Sequence, residues 1–305
     1  TYVADGSGVL RLNQILSTEL SQGGTGVDTI TTGDGDKHIV GGYGKDGITA
    51  GTGDHIVVGD NGQIDYDTDG IVKTLKTTDT ETDSVYGDDD TIILGDGANH
   101  VLGGMGADTI TSAVGTGIIL GDNGEVSYTG VTGSLKLHQI KSTVLSRGGD
   151  DTITTDDGDK HIVGGYGMDT ITAGAGDHIV VGDNGRLDYD TDGVVKTLAT
   201  IDTDVNSAYG DDDTISLGNG NNHVLAGMGS DTITTGSGVD VVLGDNGTVE
   251  YQNSTGNLKL HKIISTVDDR GGDDTYTTTT GDKHVFGGFG KDSITAGAGN
   301  HIVMG

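Results

Sequence analysis

The sequence has no cysteine, no proline and no tryptophan, and only two of its 305 residues are phenylalanine. Without cysteine the chain has no disulfide and offers no thiolate ligand for zinc. Aromatic residues make up 4% of the chain, which is too little for the single core that a globular domain of this length normally builds. The chain also lacks an apolar run of 18 residues, so we expect no membrane span.

Positive charge is scarce as well. Lysine and arginine together number 16, against 47 aspartates and glutamates, which gives a formal net charge of −31. This excess disfavours nucleic acid and anionic membrane surfaces as partners and favours cations. Glycine is abundant, at 58 residues, and isoleucine and valine recur at regular spacing, which argues against permanent disorder. The composition predicts a thin repetitive structure or a chain that needs a counter-ion to fold.

A long repeat runs through the sequence. The tetrapeptide GDNG occurs at residues 59, 121, 182 and 244, at spacings of 62, 61 and 62 residues. We predict one continuous array over 1–305, an excerpt of a longer one, with units at 1–58, 59–120, 121–181, 182–243 and 244–305. The segments after GDNG alternate between two types. YDTDGIVKTLKT at 66–77 recurs almost unchanged at 189–200, whereas YTGVTGSLKLHQIKST at 128–143 has its counterpart at 251–266.

Inside each unit runs a nine-residue period, in which six turn-forming residues precede three strand-forming ones. Residues 23–67 divide as GGTGVDTIT, TGDGDKHIV, GGYGKDGIT, AGTGDHIVV and GDNGQIDYD. Alternation along each triplet turns its middle residue inward, as at Ile30, Ile39, Ile48 and Val57. The pattern predicts an all-β fold, a parallel β-roll (β-solenoid) of stacked 18-residue coils with inserted hairpins or loops about every 62 residues. We expect about three coils per unit and a rod of about 70 Å.

Five nonapeptides, GGTGVDTIT, GGYGKDGIT, GGMGADTIT, GGYGMDTIT and GGFGKDSIT, match the phrase GGxGxDxUx at every fixed position. A sixth, AGMGSDTIT, departs from it by one residue. In these segments the chain resembles the RTX (repeats-in-toxin) family of calcium-binding parallel β-rolls. The resemblance covers the nonapeptides but not the inserted segments. It implies that Ca²⁺ ions lie between stacked turns on one edge, bound by sixth-position aspartates and by turn carbonyls.

The resemblance also implies a set of ligands. It pairs Asp28 with Asp46, Asp90 with Asp108, Asp151 with Asp169, Asp213 with Asp231, and Asp274 with Asp292. The implied turn backbone lies at Gly24, Gly26, Gly42, Gly44, Gly104, Gly106, Gly165, Gly167, Gly227, Gly229, Gly288 and Gly290. The GDNG turns lack the sixth-position aspartate, and we expect them to close a second site per unit through Asp60, Asp122, Asp183 and Asp245.

Elementary electrostatics points to the same cofactor. Two carboxylates about 5 Å apart repel by roughly 3 kcal/mol at an effective dielectric near 20, so a stacked column needs a cation. Ca²⁺ takes six to eight oxygen ligands in flexible geometry, whereas Mg²⁺ is smaller and keeps its waters. We therefore predict several bound Ca²⁺ ions.

The opposite edge has a different set of sixth-position residues: Lys37, His55, Asn99, Gly117, Lys160, His178, Asn222, Asp240, Lys283 and His301. Only Asn222 with Asp240 offers an ion site there, and we expect the histidines to be structural rather than metal ligands.

The triplets beside this edge end in apolar residues, which should point outward: Val40, Val58, Leu102, Leu120, Val163, Val181, Leu225, Leu243, Phe286 and Met304. Monomers avoid such an exposed stripe. Either the inserted segments cover it, through Leu135, Leu137, Ile140, Leu258, Leu260 and Ile263, or a neighbouring chain does, by self-association along this face.

The sequence carries no HExxH and no GxSxG motif, and GYGKDG at 42–47 is followed by no helix, so we do not expect an enzyme. We predict a calcium-stabilised structural or adhesive rod of adhesin or filament type, disordered without calcium. It would be extracellular or at the cell surface, after bacterial type I secretion. One alternative is the non-catalytic RTX secretion domain of a toxin or hydrolase. Another is an ice- or ligand-binding surface of Thr-x-Thr triplets, disfavoured because only two such strands precede DYD or SYT in each unit.

Overall fold

A computed structural model of the chain describes residues 1–4, 10–17, 26–79, 87–202, 211–254, 257–266 and 271–305. These residues form strands and turns but no helix, and hence no helix that could cross a membrane. The strands, numbered along the chain, make two parallel sheets of ten strands and one antiparallel sheet of nine. A short antiparallel pair, β1 (Tyr2–Ala4) with β2 (Leu10–Leu12), lies outside these sheets. The predicted all-β, parallel β-roll fold is confirmed.

Sheet I contains the triplets that follow the sixth-position aspartates. Its strands are parallel and in register, so that middle residues lie side by side, as Ile48, Ile92 and Ile110 do. The strands of sheet I are β4 (Thr29–Thr31), β6 (Gly47–Ala50), β10 (Thr91–Leu94), β12 (Thr109–Ser112), β16 (Thr152–Thr155), β18 (Thr170–Ala173), β22 (Thr214–Leu217), β24 (Thr232–Thr235), β28 (Thr275–Thr278) and β30 (Ser293–Thr295).

Sheet II contains the other triplet of each coil and is also parallel and in register. Its strands are β5 (His38–Val40), β7 (Ile56–Val58), β11 (Asn99–Gly104), β13 (Gly117–Asp122), β17 (Lys160–Gly165), β19 (Ile179–Asp183), β23 (His223–Leu225), β25 (Asp240–Leu243), β29 (Lys283–Phe286) and β31 (His301–Met304). The middle residues of sheets I and II face each other and form the first core. Ile48, Val57, Ile92 and Val101 are fully buried in it, as the alternation predicted.

The number of coils per unit differs from the prediction. Asp90 and Asp108, in adjacent coils of one unit, are 18 residues apart, whereas Asp108 and Asp151, across a unit boundary, are 43 apart. The longer coil carries the GDNG turn and the inserted segment, which leaves the roll instead of adding strands to sheets I and II. Each unit therefore contributes two coils, and the expectation of three is wrong. Ten strands at ~4.8 Å give a rod of about 50 Å rather than about 70 Å.

Sheet III is built from the inserted segments, which form the hairpins that the turn signals predicted. Two hairpins are short, β8 with β9 and β20 with β21, and two are long, β14 with β15 and β26 with β27. Neighbouring hairpins pair with each other along the rod. The strands of sheet III are β3 (Gln14–Leu16), β8 (Gly62–Tyr66), β9 (Val72–Thr77), β14 (Gly124–Val131), β15 (Ser134–Ser142), β20 (Gly185–Tyr189), β21 (Val195–Thr200), β26 (Gly247–Ser254) and β27 (Asn257–Ser265).

Sheet III covers the outer face of sheet II and closes a second core. The column predicted to point outward is packed there: Val58, Leu102, Leu120, Val163 and Val181 are buried, and Val40 is half-buried. The covering side chains include Ile64, Leu75, Val126, Ile140, Leu187, Leu198 and Val249, with Leu137, Leu260 and Ile263 half-buried beside them. The side chain of Leu258 lies outside the described residues.

Of the two predicted covers, the inserted segments are the one observed. The self-association predicted through Val40, Val58, Leu102, Leu120, Val163 and Val181 loses its physical ground, because these side chains are not available to a second chain.

Candidate metal centre

The sixth-position aspartates stack along one edge of the roll, where each coil enters sheet I. At each step the Oδ1 atom of one aspartate accepts a hydrogen bond from the backbone N–H of the aspartate in the preceding coil. Asp151 Oδ1 lies 2.7 Å from the nitrogen of Asp108, and Asp169 Oδ1 lies 2.8 Å from the nitrogen of Asp151. We call this stack the aspartate ladder. It consists of Asp28, Asp46, Asp90, Asp108, Asp151, Asp169, Asp213, Asp231, Asp274 and Asp292.

The ladder is continuous across the unit boundaries. Asp90 Oδ1 lies 2.6 Å from the nitrogen of Asp46, although the two are 44 residues apart in sequence. Each predicted pair is brought together, and each pair is joined to the next. The sequence analysis stopped at the pairs because the inserted hairpin hides the partner across the boundary.

The second oxygen of each ladder carboxylate after Asp28 has no hydrogen-bond partner. These buried Oδ2 atoms belong to Asp46, Asp90, Asp108, Asp151, Asp169, Asp213, Asp231, Asp274 and Asp292. A buried polar atom without a partner costs about 1–3 kcal/mol, and a charged one costs more. A column of such atoms therefore requires protons or cations.

Glycine is required beside these oxygens. A Cβ added to Gly121 would overlap Asp151 Oδ2 and lie 2.7 Å from the carbonyl oxygen of Gly164. A Cβ on Gly164 would overlap both Asp169 Oδ2 and the carbonyl oxygen of Gly182. A carboxylate oxygen and a turn carbonyl thus converge on a space that any side chain would fill. Hard oxygen donors in this arrangement fit Ca²⁺, which takes carboxylates and backbone carbonyls together.

These glycines stand first in their nonapeptides, and sequence reasoning missed them. They are Gly41, Gly59, Gly103, Gly121, Gly164, Gly182, Gly244 and Gly287, each with its Cα beside an aspartate Oδ2. One signal was available: the first glycine is kept in GDNG, where the second glycine and the sixth-position aspartate are lost. The remaining coil has Ala226 at this position, fully buried, which matches the departure of AGMGSDTIT from the phrase.

The second and fourth glycines have other neighbours. A Cβ on Gly104 would lie 2.5 Å from Asp60 Oδ2, and Gly165, Gly227 and Gly288 likewise approach the GDNG aspartate of their own unit. Gly42 has no such neighbour. The fourth glycines stack on the backbone of the preceding coil: Gly44 on Gly26, Gly106 on Asp88, Gly167 on Gly149, Gly229 on Asp211, and Gly290 on Gly272. Gly24 lies outside the described residues.

Burial raises the pKa of the ladder carboxyls. It raises the pKa of Asp90 and of Asp274 to about 8. Burial, followed by the charges of Asp151 and Asp90, raises the pKa of Asp108 well above its ordinary value. Burial and the charges of Asp151 and Asp213 do the same for Asp169. At neutral pH the stack cannot be fully ionised without a counter-ion.

Carbonyls must supply much of any coordination. Across the described ranges, no group of three or more carboxylate or imidazole side chains converges on one point. Each cation would therefore take one or two carboxylates from the ladder and complete its shell with turn carbonyls and water.

The GDNG aspartates of the units with long hairpins have both oxygens in hydrogen bonds. Asp122 Oδ1 accepts from the N–H of Gly149 at 3.2 Å, and its Oδ2 accepts from the N–H of Tyr166. Asp245 is held in the same way, by the N–H groups of Gly272 and Phe289.

The GDNG aspartates of the units with short hairpins keep one oxygen open. Asp60 Oδ2 accepts from the N–H of Met105 at 2.5 Å, and Asp183 Oδ2 accepts from the N–H of Met228 at 2.5 Å. In both residues the buried Oδ1 has no partner. The four aspartates that the sequence treated as equivalent thus fall into two types.

On the opposite edge of the roll, lysine ammonium groups lie among the turn carbonyls, at positions that correspond to the candidate cation sites beside the aspartate ladder. The Lys160 side chain is fully buried. Its Nζ donates to the carbonyl of Gly115 and lies 3.1 Å from the carbonyl oxygen of Gly158, 3.3 Å from that of Asp157 and 3.4 Å from that of Asp156. Lys37 Nζ makes similar contacts with the carbonyls of its own turn. In these turns the lysine ammonium group supplies the positive charge that a bound cation would otherwise provide.

The ion site expected at Asn222 and Asp240 is replaced by an ion pair. Lys283 Nζ lies 2.7 Å from Asp240 Oδ2, with both side chains fully buried. Asp240 Oδ2 also accepts hydrogen bonds from the hydroxyls of Thr235 and Tyr276. The expectation of a metal there is wrong, because a lysine from a later coil reaches the carboxylate.

Replacing Lys283 with methionine is expected to destabilise the fold by about 3–5 kcal/mol, because Asp240 would be left buried without its counter-charge. Urea unfolding in saturating calcium would measure the change. The matched control is Lys259→Met, which removes an exposed lysine from β27. Adding Asp240→Asn to Lys283→Met should recover part of the loss; equal stability of the Lys283→Met and Lys259→Met variants would contradict the pairing.

Histidines join sheet II to sheet III. His161 Nδ1 lies 2.7 Å from the hydroxyl oxygen of Tyr189, and their rings are 5.6 Å apart. The same contact recurs between His38 and Tyr66, His100 and Tyr128, and His223 and Tyr251. His55 and His178 instead place Nε2 within 2.9 Å of a turn carbonyl oxygen. These hydrogen bonds are consistent with the structural role predicted for the histidines.

Replacing Tyr189 with phenylalanine is expected to lower stability by about 1–3 kcal/mol, because the half-buried ring of His161 would lose its hydrogen-bond partner. Thermal unfolding at fixed calcium would detect this loss. Tyr2→Phe serves as the control, since Tyr2 is 69% exposed. If the two variants unfolded at the same temperature, the His161–Tyr189 contact would contribute nothing.

Stacked glycine turns and a column of buried carboxylates define a parallel β-roll of the calcium-binding type. A family model described as RTX calcium-binding nonapeptide repeat (4 copies) matches residues 84–119, 207–242 and 269–300. These stretches carry RTX calcium-binding nonapeptide repeats, which bind several Ca²⁺ ions. Comparison with curated proteins and with solved structures gave no match.

Proposed function

We propose that the chain is a calcium-stabilised structural rod of an extracellular or cell-surface protein of adhesin or filament type. The observation that carries this is the aspartate ladder, with its column of buried Oδ2 atoms. RTX repeats are typical of secreted proteins, and a fold that needs calcium suits a chain exported unfolded by type I secretion. We infer no catalytic role, because the acidic side chains serve the ladder and its turns.

We assign the ions to the spaces beside the first glycines. There, one ladder Oδ2 and one turn carbonyl would bind Ca²⁺ and neutralise the stack. Binding energy would then appear as folding energy, since the site does not exist in the unfolded chain. The millimolar affinities of extracellular calcium modules would keep the chain open in a low-calcium cytosol and fold it outside.

Far-UV circular dichroism tests this proposal. The chain in EGTA should lack β-structure, and addition of about 5–10 mM Ca²⁺ should restore it. Mg²⁺ at the same concentration should be far less effective, since it demands octahedral geometry and retains its waters. The same β-content with EGTA and with calcium would refute the folding switch.

A second candidate function is an ice- or ligand-binding face on sheet I. The sequence disfavoured this function because the segments DYD and SYT interrupt the threonine strands. In the structure these segments belong to sheet III. Sheet I therefore runs for ten strands without interruption. Its outward positions hold Thr29, Thr31, Thr49, Thr91, Thr109, Thr111, Thr152, Thr154, Thr170, Thr172, Thr214, Thr232, Thr234, Thr275, Thr277 and Thr295.

Ice-recrystallisation inhibition in calcium would test this face. Thr154→Tyr, at the middle of the face, should abolish inhibition, whereas Thr129→Tyr on β14 should not. No inhibition by the folded wild type would remove this candidate. The other alternative is a non-catalytic secretion domain of a toxin or hydrolase. The domain content of the full gene would test it.

A further inference from the structure

Within the described residues, two buried aspartates lie outside every nonapeptide and outside the aspartate ladder. Asp79 follows the short hairpin β8–β9 and is 5% exposed, and Asp202 follows the short hairpin β20–β21 and is 6% exposed. Neither matches the GGxGxDxUx phrase, so the repeat pattern assigns them no role.

The contacts of Asp202 place it beside the GDNG turn of its own unit. Its Oδ1 accepts from Asn184 Nδ2 at 3.2 Å, and the N–H of Ile201 donates to the carbonyl of Asn184 at 2.9 Å. Its Oδ2 is buried without a partner. Asp183, next to Asn184 in the chain, likewise has Oδ2 in a hydrogen bond and Oδ1 buried without one. Two carboxylates thus flank one asparagine, and each has one unpartnered oxygen.

The unit two repeats earlier has the same hydrogen bonds around its GDNG asparagine. Asn61 Nδ2 lies 3.1 Å from Asp79 Oδ1, and the N–H of Thr78 donates to the carbonyl of Asn61 at 2.9 Å. The buried Oδ1 of Asp60 has no partner.

The described residues of the unit at 121–181, which has a long hairpin, lack this arrangement. The N–H of Thr143 donates to the carbonyl of Asn123 at 2.8 Å, which makes Val144 the counterpart of Asp202. The side-chain amide of Asn123 is then buried without a partner, and both oxygens of Asp122 are taken by N–H groups. The open oxygen on the GDNG aspartate and the second carboxylate therefore occur together or not at all.

We propose that Asp183 and Asp202 hold a Ca²⁺ ion that the nonapeptide phrase does not encode. The proposal rests on the calcium-dependent function proposed above. Two carboxylates with open oxygens supply the hard, anionic donors that Ca²⁺ binds. Asp183 ends β19 and Asp202 follows β21, so the ion ties the two ends of the short hairpin to the roll.

The number of bound ions tests the proposal. Native mass spectrometry in calcium should show one ion fewer in Asp202→Asn than in the wild type. Asp192→Asn removes the same charge from the exposed tip of β20–β21 and should leave the number unchanged. An unchanged count in a folded Asp202→Asn variant would overturn the proposal.

Two controls separate this inference from the function on which it rests. A wild type that binds no calcium, or folds equally without it, refutes the proposed function itself. If the Asp202→Asn variant does not fold, anomalous density in wild-type crystals grown with calcium decides whether an ion occupies the site. A peak about 2.3–2.6 Å from Asp183 Oδ1 and Asp202 Oδ2 supports the site, and water alone at that position overturns it.

Discussion

Acidification in the absence of calcium is expected to fold this chain rather than unfold it. Burial raises the folded-state pKa of Asp90 and Asp274 to about 8, and the pKa of other buried carboxyls well above the ordinary value. The folded state therefore holds protons that the unfolded chain releases above pH ~4, so metal-free stability falls as pH rises from ~4 to ~8. From pH ~8 to ~5.5, Asp90 and Asp274 each recover about 3 kcal/mol, and the other carboxyls change stability in the same direction. The other carboxyls are those of Asp60, Asp108, Asp122, Asp151, Asp169, Asp183, Asp213 and Asp231.

Buried imidazoles change the stability in the opposite direction as pH falls, and their total contribution is smaller. Burial lowers the pKa of His100, His161 and His223 to about 4. The stability that they contribute is present above pH ~6.5 and is lost as pH falls towards ~4. Between pH ~8 and ~5.5 each costs about 1.4 kcal/mol, which the more numerous carboxyls exceed.

The measurement is far-UV circular dichroism of chelator-treated protein in metal-free buffer. We expect disorder at pH ~8 and β-structure at pH ~5.5. In millimolar calcium the trend should reverse, because protons compete with Ca²⁺ for the same oxygens. A metal-free chain that stays disordered throughout this range would contradict the assigned burial of the carboxyls.

Replacing Asp169 with asparagine is expected to have opposite effects with and without calcium. The side-chain amide of the Asp169→Asn variant would still accept the N–H of Asp151 through its oxygen, but the anionic Oδ2 beside Gly164 would be lost. The calcium concentration at half-folding should therefore rise about tenfold or more, the equivalent of roughly 1.4 kcal/mol or more. Without calcium, the loss of one buried charge should shift acid-induced folding to higher pH.

Asp192→Asn is the matched control, since it removes one negative charge from an exposed hairpin tip. Calcium titrations and metal-free pH titrations of both variants, followed by circular dichroism, separate net charge from position. If the two variants shifted the calcium midpoint equally, Asp169 would not be a ligand and the ladder would be only a backbone support.

Alternation within the triplets was sufficient to predict the β-roll and its first core. Ile48 and Val57 are buried because strand geometry turns every second residue inward. The number of coils could not be predicted in the same way, because GQIDY at 62–66 reads as one more triplet. Only its pairing with Val72–Thr77 and with Gln14–Leu16 assigns it to sheet III.

The candidate site was predicted in part. Sequence spacing was enough to select the sixth-position aspartates, since the ladder repeats wherever the phrase does. It was not enough for Lys160 or Lys283, which reach carbonyls or a carboxylate 43–45 residues away through long side chains. Asp202 was missed for a related reason: its neighbour Asn184 lies across a complete hairpin.

The central claim is that calcium neutralises the aspartate ladder, and a crystal structure with calcium tests it most directly. We expect anomalous peaks about 2.3–2.6 Å from the Oδ2 atoms of the ladder, each shared with a turn carbonyl beside a first glycine. Asp151 and Asp169, at the middle of the rod, should show the strongest peaks. An ordered ladder in which these Oδ2 atoms contact only water, in crystals soaked with calcium, would contradict the account.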